Sequence, residues 1–274
     1  MINRESLKAI KPILTSYHVY KYIMFQQKLA IARLRDWKDR QNPAQINVPP
    51  AKLRHRVSGS LDKESFLQIG EILAQNIREL CAIVDRDIYS FERVLDFGCG
   101  PGRVILNFKD VPASCQIYGT DIDSELIRWC KEYLPHFRWS INGYQPPLPF
   151  ADNTFDLIYA ISVFTHLNEK FQHSWLRELR RVAKPGATII LTVHGEYCIN
   201  MLPSSYQSQI HSYGFMFVTD ATGRLKIDKL PDFYQTAYHT QEYIHREWST
   251  YFDVIHYLER GINNHQDAVI LRKP

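Results

Sequence analysis

Gly98, Gly100 and Gly102 lie at alternate positions directly after an apolar run that contains Asp96, in Val94-Leu95-Asp96-Phe97-Gly98-Cys99-Gly100-Pro101-Gly102-Arg103. Glycine lacks a Cβ, so a ligand can lie against the backbone there. A helix opening near Arg103 would add unpaired N–H groups. A second carboxylate, Asp121, closes the next apolar run in Tyr118-Gly119-Thr120-Asp121-Ile122-Asp123. A carboxylate at that place can accept hydrogen bonds from both hydroxyls of a ribose, although it also fits the N-cap of a following helix. The chemistry suggested is capture of a nucleotide-like ligand under a strand–helix turn. Dinucleotide enzymes need Gly-x-Gly-x-x-Gly, and the third glycine of that pattern is missing here.

The elements that must hold these residues follow from periodicity. From about residue 91 short apolar runs alternate with helical patterns. The runs fall at 91–97, 115–121, 136–141, 155–161 and 187–193, and the helical stretches include 123–134 and 168–183. That alternation predicts a parallel sheet with crossover helices. Near the C-terminus a helix at 240–250 leads to a strand at 252–258, a turn at Gly261-Ile262-Asn263-Asn264 and a last apolar run, Ala268-Val269-Ile270-Leu271. So short a link requires antiparallel pairing. The expected fold class is α/β: a seven-stranded, mostly parallel, doubly wound sheet with a reversed last strand, plus an N-terminal helical extension.

Residues 1–56 form that extension and 57–274 the main domain, with an insert at about 196–240. Within the extension, 13–40 reads as a helix carrying Tyr17, Tyr20, Met24, Ile31 and Leu34, stopped by Asn42-Pro43. Pro49-Pro50 reads as a linker; beyond the extension, 62–84 reads as a second amphipathic helix. The extension holds 12 Lys/Arg against 3 Asp/Glu, about +9, within a chain total of +4, which leaves about −5 for the remainder. Such an arm either faces solvent or meets an anionic partner such as a peripheral membrane or a glycolipid; its apolar stripe also suits a homodimer. At 45% apolar and 23% charged residues, the composition is that of an ordinary globular protein. No apolar run approaches the ~20 residues of a membrane span, and no signal-peptide pattern opens the chain. Five scattered cysteines without a Cys-x-x-Cys pair suggest neither a disulfide framework nor a thiolate metal site. The expectation is a cytoplasmic protein without a bound metal.

The glycine run and the segments downstream of it resemble the class I S-adenosylmethionine-dependent methyltransferases. The resemblance continues through Leu148-Pro149-Phe150-Ala151-Asp152-Asn153-Thr154-Phe155-Asp156-Leu157-Ile158, through Ser162-Val163-Phe164-Thr165-His166-Leu167, and through Glu178-Leu179-Arg180-Arg181-Val182-Ala183-Lys184-Pro185-Gly186-Ala187. It covers roughly residues 90–195 plus the C-terminal hairpin, and Ala187 replaces a common second glycine. The resemblance implies S-adenosylmethionine as cofactor. It places Gly98, Gly100 and Gly102 along the methionine part, Asp96 as a brace of the loop, Asp121 on the ribose and Ile122 against the adenine. Asn142 takes the position where the family often has an acid near the adenine amino group. In relatives the segment before strand one folds over the cofactor, so Arg56 is a candidate partner of the methionine carboxylate.

Methyl transfer is an in-line displacement that depends on alignment, and an alcohol acceptor benefits from a general base. The candidates are His166, just past strand four, His194, at the end of strand five, and His239 in the insert. The insert's aromatics (Phe233, Tyr234, Tyr238, Tyr243) could stack on an acceptor or simply pack. Pro146-Pro147 resembles the Pro-Pro-Tyr site of amino-group methyltransferases, but it precedes strand four instead of following it, which disfavours a nucleic-acid substrate. His265-Gln266-Asp267 reads as a polar turn. The reading is a methyltransferase acting on a small molecule, with an oxygen acceptor preferred, in a sugar, glycolipid or secondary metabolite. The rival readings are an NAD(P)-dependent oxidoreductase and a non-catalytic scaffold that keeps the cofactor site.

Overall fold

The computed structural model describes residues 4–40, 48–108, 111–218 and 235–274, with the backbone alone for 4–18 and 40. Asn42, Pro43, Phe233 and Tyr234 therefore lie outside the described residues. The chain divides into two compact units, residues 1–66 and 67–274.

In the first unit, α1 (Arg4–Arg40) begins ahead of the expected residue 13 and runs through Pro12. Pro49-Pro50, read as a linker, leads directly into α2 (Ala51–Ser58), for which Pro50 is the N-cap. One buried guanidinium organises the junction. Arg54 forms a two-pronged pair with Asp36 of α1 at 2.9 and 3.1 Å, and donates to the carbonyls of Pro49 and Leu61 at 2.7 Å each. Asp36 also accepts from the Ala51 N–H at 3.0 Å, supplying the cap that Pro50 has no side chain to make. Tyr20, Ile31, Leu34 and Trp37 are exposed on α1.

The second unit takes in most of α3 (Lys63–Ile83) and the sheet. Its strands are β1 (Arg93–Phe97), β2 (Gln116–Asp121), β3 (Arg138–Ile141), β4 (Phe155–Ala160), β5 (Ala183–Val193), β8 (Asp253–Ile262) and β9 (Gln266–Arg272). The spatial order is β3-β2-β1-β4-β5-β9-β8. The first five run parallel, and β9 is antiparallel to both of its neighbours. Strand alternation sorts the core onto two faces. Leu95, Ile158, Ile189 and Leu271 pack with α5 (Glu169–Val182) and with α8 (Gln241–Trp248). Val94, Leu157, Ile190 and Ile270 pack with α3 and α4 (Ser124–Tyr133). α6 (Glu196–Ile199), α7 (Ser204–Tyr213) and a two-stranded sheet of β6 (Phe215–Val218) and β7 (Thr236–His239) occupy the described part of the insert.

Two local expectations are corrected. No α-helix opens near Arg103; the chain makes turns and a single 3-10 turn at Ile105–Asn107. Phe108 leaves the helical path at ψ 82 and packs edge-on to Tyr159, so burying one aromatic prevails over extending the helix. The C-terminal turn is narrower than Gly261–Asn264, because β8 continues through Ile262 and the reversal rests on Asn263 and Asn264. Their φ values of 49° and 52° and the His265 N–H to Ile262 carbonyl bond of 3.0 Å make a turn of the type I′ class. Asn264→Val should therefore lower stability by about 1–2 kcal/mol, seen as a lower urea midpoint with an unchanged slope, while Asn264→Gly should not. An unshifted midpoint for the valine variant would contradict the left-handed turn.

Candidate functional site

The C-terminal ends of β1, β2, β4 and β5 converge on one edge of the sheet, where open α/β sheets gather ligands. At β1 the glycine turn has φ of 79°, 55° and 72° at Gly98, Gly100 and Gly102. A Cβ on Gly98 would stand 2.3 Å from Val163 Cγ2, so the turn needs glycine there for both conformation and space. The Gly98 and Cys99 N–H groups bond the Thr120 carbonyl of β2 at 2.8 and 3.0 Å, folding the turn back over the neighbouring strand.

Asp96 is buried beneath this turn and accepts from the Tyr159 hydroxyl at 3.0 Å. Burial pushes its carboxyl up to about 8, with the Tyr159 bond opposing, so at neutral pH it is mostly protonated. Its hydrogen bond thus runs to β4 as that of a neutral acid. Asp121 is only half-buried. One of its oxygens accepts from Gly100 N–H at 2.9 Å and the other from Asp123 N–H at 2.8 Å. Burial raises it to about 6 and the two N–H bonds restrain the rise, which leaves it ionised at neutral pH with further lone pairs on each oxygen. The alternative role of helix cap falls to Asp123, whose carboxylate accepts from Glu125 N–H at 2.9 Å. Ile122 follows, half-buried. Asn142 is buried after β3, with its carbonyl accepting from the Thr120 hydroxyl at 2.9 Å and its amide donating to the Gly143 carbonyl. Arg56 lies half-buried on α2, in the first unit.

The three histidines have unlike surroundings. His166 sits in a 3-10 turn after β4 (Phe164–His166), and His194 follows β5. The Nδ1 of His166 bonds the Gln235 carbonyl at 2.7 Å and the Nδ1 of His194 bonds the Ala237 carbonyl at 3.2 Å. A carbonyl only accepts, so each Nδ1 carries the hydrogen and the lone pair of each neutral ring is on Nε2. Residues two apart on a strand point their carbonyls the same way, so one edge at β7 holds both rings, whose centroids are 6.4 Å apart. Burial, with the neighbouring His166, brings His194 down to about 4 and keeps it neutral.

His239 is apart from these. Fully buried, it meets Gln172, whose two amide hydrogens go to the Leu167 and Phe164 carbonyls at 3.0 and 3.3 Å; with both so used, the His239 Nε2–H donates to Gln172 Oε1 at 3.0 Å. Its Nδ1 is a buried atom without a partner among the described residues, and burial brings the ring down to about 3. Tyr243 stacks on Phe215 in the same core, and Tyr238 lies against His194.

Several residues at this edge carry no signal in the sequence. Ser162 has φ 59°, and its N–H donates to Thr192 Oγ1 at 2.8 Å. Thr192 donates to Gln266 Oε1 at 2.7 Å, and Gln266 donates back to the Ser162 hydroxyl at 2.8 Å. This closed ring ties the loop after β4 to β5 and β9. Tyr159 and Cys198 are the other two. Their hydrogen bonds join positions tens of residues apart in the chain, which no local pattern announces.

Residues 94–186 match the family described as "Methyltransferase domain". An uncharacterized methyltransferase of Schizosaccharomyces pombe is 33% identical over 108 residues, 36% of this chain and 38% of the relative. A trans-aconitate 2-methyltransferase of Azoarcus is 26% identical over 139 residues, 50% of this chain and 51% of the relative. The chain thus spans about half or less of these curated relatives. An S-adenosylmethionine-dependent methyltransferase structure from Mesorhizobium loti superposes with TM-score 0.50 at 16% identity, covering 71% of this chain and 96% of that one, an agreement of fold.

His239 has a measurable consequence. The unfolded chain binds a proton on this ring below about 6.5 and the folded chain only near 3, so stability is lost as pH falls through that window. For one such group the loss from about pH 7.5 to about pH 5 is about 2 kcal/mol. His239→Gln, which keeps a donor toward Gln172, should shrink the difference in unfolding free energy between those conditions by about that amount; an unchanged difference would show that the buried ring is not held neutral.

Proposed function

We propose that the chain, whose residues 94–186 match a methyltransferase domain, is a class I S-adenosylmethionine-dependent methyltransferase that methylates a small hydroxylated molecule, such as a sugar, glycolipid or secondary metabolite. The observation that carries the oxygen preference is the pair His166 and His194, both fixed by β7 in the tautomer whose Nε2 holds the lone pair. An amine acceptor has its own lone pair and needs no such base, whereas a hydroxyl must lose a proton as it is methylated.

The residues present fit the cofactor. Gly98, Gly100 and Gly102 leave space for a ligand against the backbone, and Asp121 keeps acceptor capacity for ribose hydroxyls beyond its two N–H bonds. Ile122 and Asn142 stand at the ends of β2 and β3 for the adenine. When bound, S-adenosylmethionine supplies an electrophilic methyl group on a sulfonium. The chain's part is to align the acceptor, exclude water and take the hydroxyl proton. We assign that proton to Nε2 of His166. The resulting imidazolium keeps its Nδ1–H on the Gln235 carbonyl, a bond that strengthens as charge develops. His194, kept neutral by burial, stands beside it without adding a competing positive charge. His239 serves the packing of this edge through Gln172.

The compartment proposed is the cytoplasm, supported by five free, buried cysteines. Among the described residues no helix is long and apolar enough to cross a membrane.

Two outcomes test the reading. His166→Ala should cut turnover by about 100-fold or more while S-adenosylhomocysteine affinity changes little; normal turnover removes His166 from the mechanism. Asp121 must be ionised to accept from the ribose, so calorimetric affinity for S-adenosylhomocysteine should hold above neutral pH and fall as pH drops through about 6. Asp121→Asn should bind about 10- to 100-fold more weakly and lose that dependence. Tight NAD(P) binding without S-adenosylhomocysteine binding would overturn the assignment altogether.

A further inference from the structure

Next to the histidine pair, the short helix after β5 and the C-terminal hairpin bring three potential metal ligands together. His194, Cys198 and His265 each offer one donor atom, and the three donors lie within 4.8 Å of one another. We propose that these residues form a binding site for a divalent ion of borderline softness, foremost Zn2+.

Two imidazole nitrogens and a sulfur are a donor set that suits zinc and disfavours Mg2+ or Ca2+, which take oxygen ligands. Histidines on metals commonly donate their other ring N–H to a backbone carbonyl, and His194 already does so from Nδ1 to Ala237 at 3.2 Å, which directs the Nε2 lone pair outward. Cys198 Sγ stands 3.8 Å from His265 Nε2, and its S–H points to the His265 carbonyl at 3.5 Å.

The frame that carries them is built by close packing. His194 lies just before α6 and Cys198 within it, four positions apart, with the Ile199 N–H bonded to the Gly195 carbonyl at 2.9 Å. A Cβ on Gly195 would come within 1.7 Å of Asp267 Oδ2, so only glycine allows β9 to approach here. Asp267 in turn accepts from the Tyr257 hydroxyl at 2.6 Å and from Arg260 N–H at 2.8 Å, locking the hairpin that presents His265. Tetrahedral zinc needs donors about 3.3–3.6 Å apart, so the set must contract by roughly an ångström. The exposed His265 side chain is the ligand with room to make that movement.

Binding replaces the S–H of Cys198 with an S–Zn bond, and the proton leaves to solvent. Three protein ligands leave a fourth position for water or a small anion. The ion would tie the β8–β9 hairpin to the end of β5, whatever the methyl acceptor is.

The test uses the reduced full-length chain stripped with a chelator, titrated with Co2+ as an optical probe and with Zn2+ against a chromophoric competitor. The expected result is uptake of one ion per chain, with a thiolate-to-cobalt charge-transfer band and tetrahedral d–d absorption. Cys198→Ser should abolish that band. His265→Ala, on an exposed turn, should weaken Zn2+ binding by about 10- to 100-fold while circular dichroism and S-adenosylhomocysteine binding stay intact. Absence of stoichiometric uptake, or uptake and spectrum unchanged in both variants, would overturn the site. Ion uptake is read without turnover, so this outcome is separate from the fate of the methyl-transfer proposal.

Discussion

The histidine end of the site depends on a single strand edge. Gln235 and Ala237 direct their carbonyls at His166 and His194, and the His239 N–H two residues on bonds the His194 carbonyl at 2.9 Å. Because alternate residues of a strand face the same way, these three bonds form one ladder along the end of β5, extended by the His194–Tyr238 bridge. A slip of one residue would turn the carbonyls away and leave both imidazoles free to choose the other tautomer. The buried His239 ring guards against that slip. It is seated among Phe215, Tyr243 and Trp248, and any shift would break its bond to Gln172. One unpartnered nitrogen in an apolar pocket is the cost of that anchor.

At the cofactor end the governing constraint is electrostatic. Two carboxyl groups at the ends of neighbouring strands repel each other when both are charged, and burial penalises each charge further. Their environments separate them. Asp96, buried, has the Tyr159 hydroxyl as its only side-chain hydrogen-bond donor among the described residues, and it gives up its charge. Asp121 is held by two backbone N–H groups and keeps it. The charge therefore rests on Asp121, the more exposed of the two, while the buried Asp96 is neutral.

Much of this was legible in the sequence, and the features that escaped it have a common cause. The sheet, its reversed β9 and the glycine turn follow from local patterns: short apolar runs alternating with helical stretches, glycines at fixed offsets, a short link before the last run, and the acids Asp96 and Asp121 in the first two strands. The helix expected near Arg103 failed because Phe108, whose burial depends on Tyr159 across the sheet, outweighs local propensity. The ring of Ser162, Thr192 and Gln266 and the cluster of His194, Cys198 and His265 each join residues from separate strands and turns. Only the His-x-x-x-Cys spacing of His194 and Cys198 is visible along the chain, and without the third ligand it has no meaning. His239 stood as a third candidate behind His166 and His194 because residue type says nothing about enclosure.

The two ends of the site also meet. Val163 fills the space a Cβ would need at Gly98, and it is the residue from which the 3-10 turn carrying His166 begins. The His166 N–H returns to the Val163 carbonyl at 3.0 Å, so the turn is one rigid unit with the valine at one end and the imidazole at the other. Ser162, just before it, holds a left-handed conformation at φ 59° that costs roughly 1–2 kcal/mol for a residue other than glycine and is compensated by its bonds to Thr192 and Gln266. The strained backbone thus sets the depth of Val163 against the glycine turn. The position of the His166 ring and the shape of the glycine turn are consequently linked through the same contact, and a side chain at Gly98 would displace both.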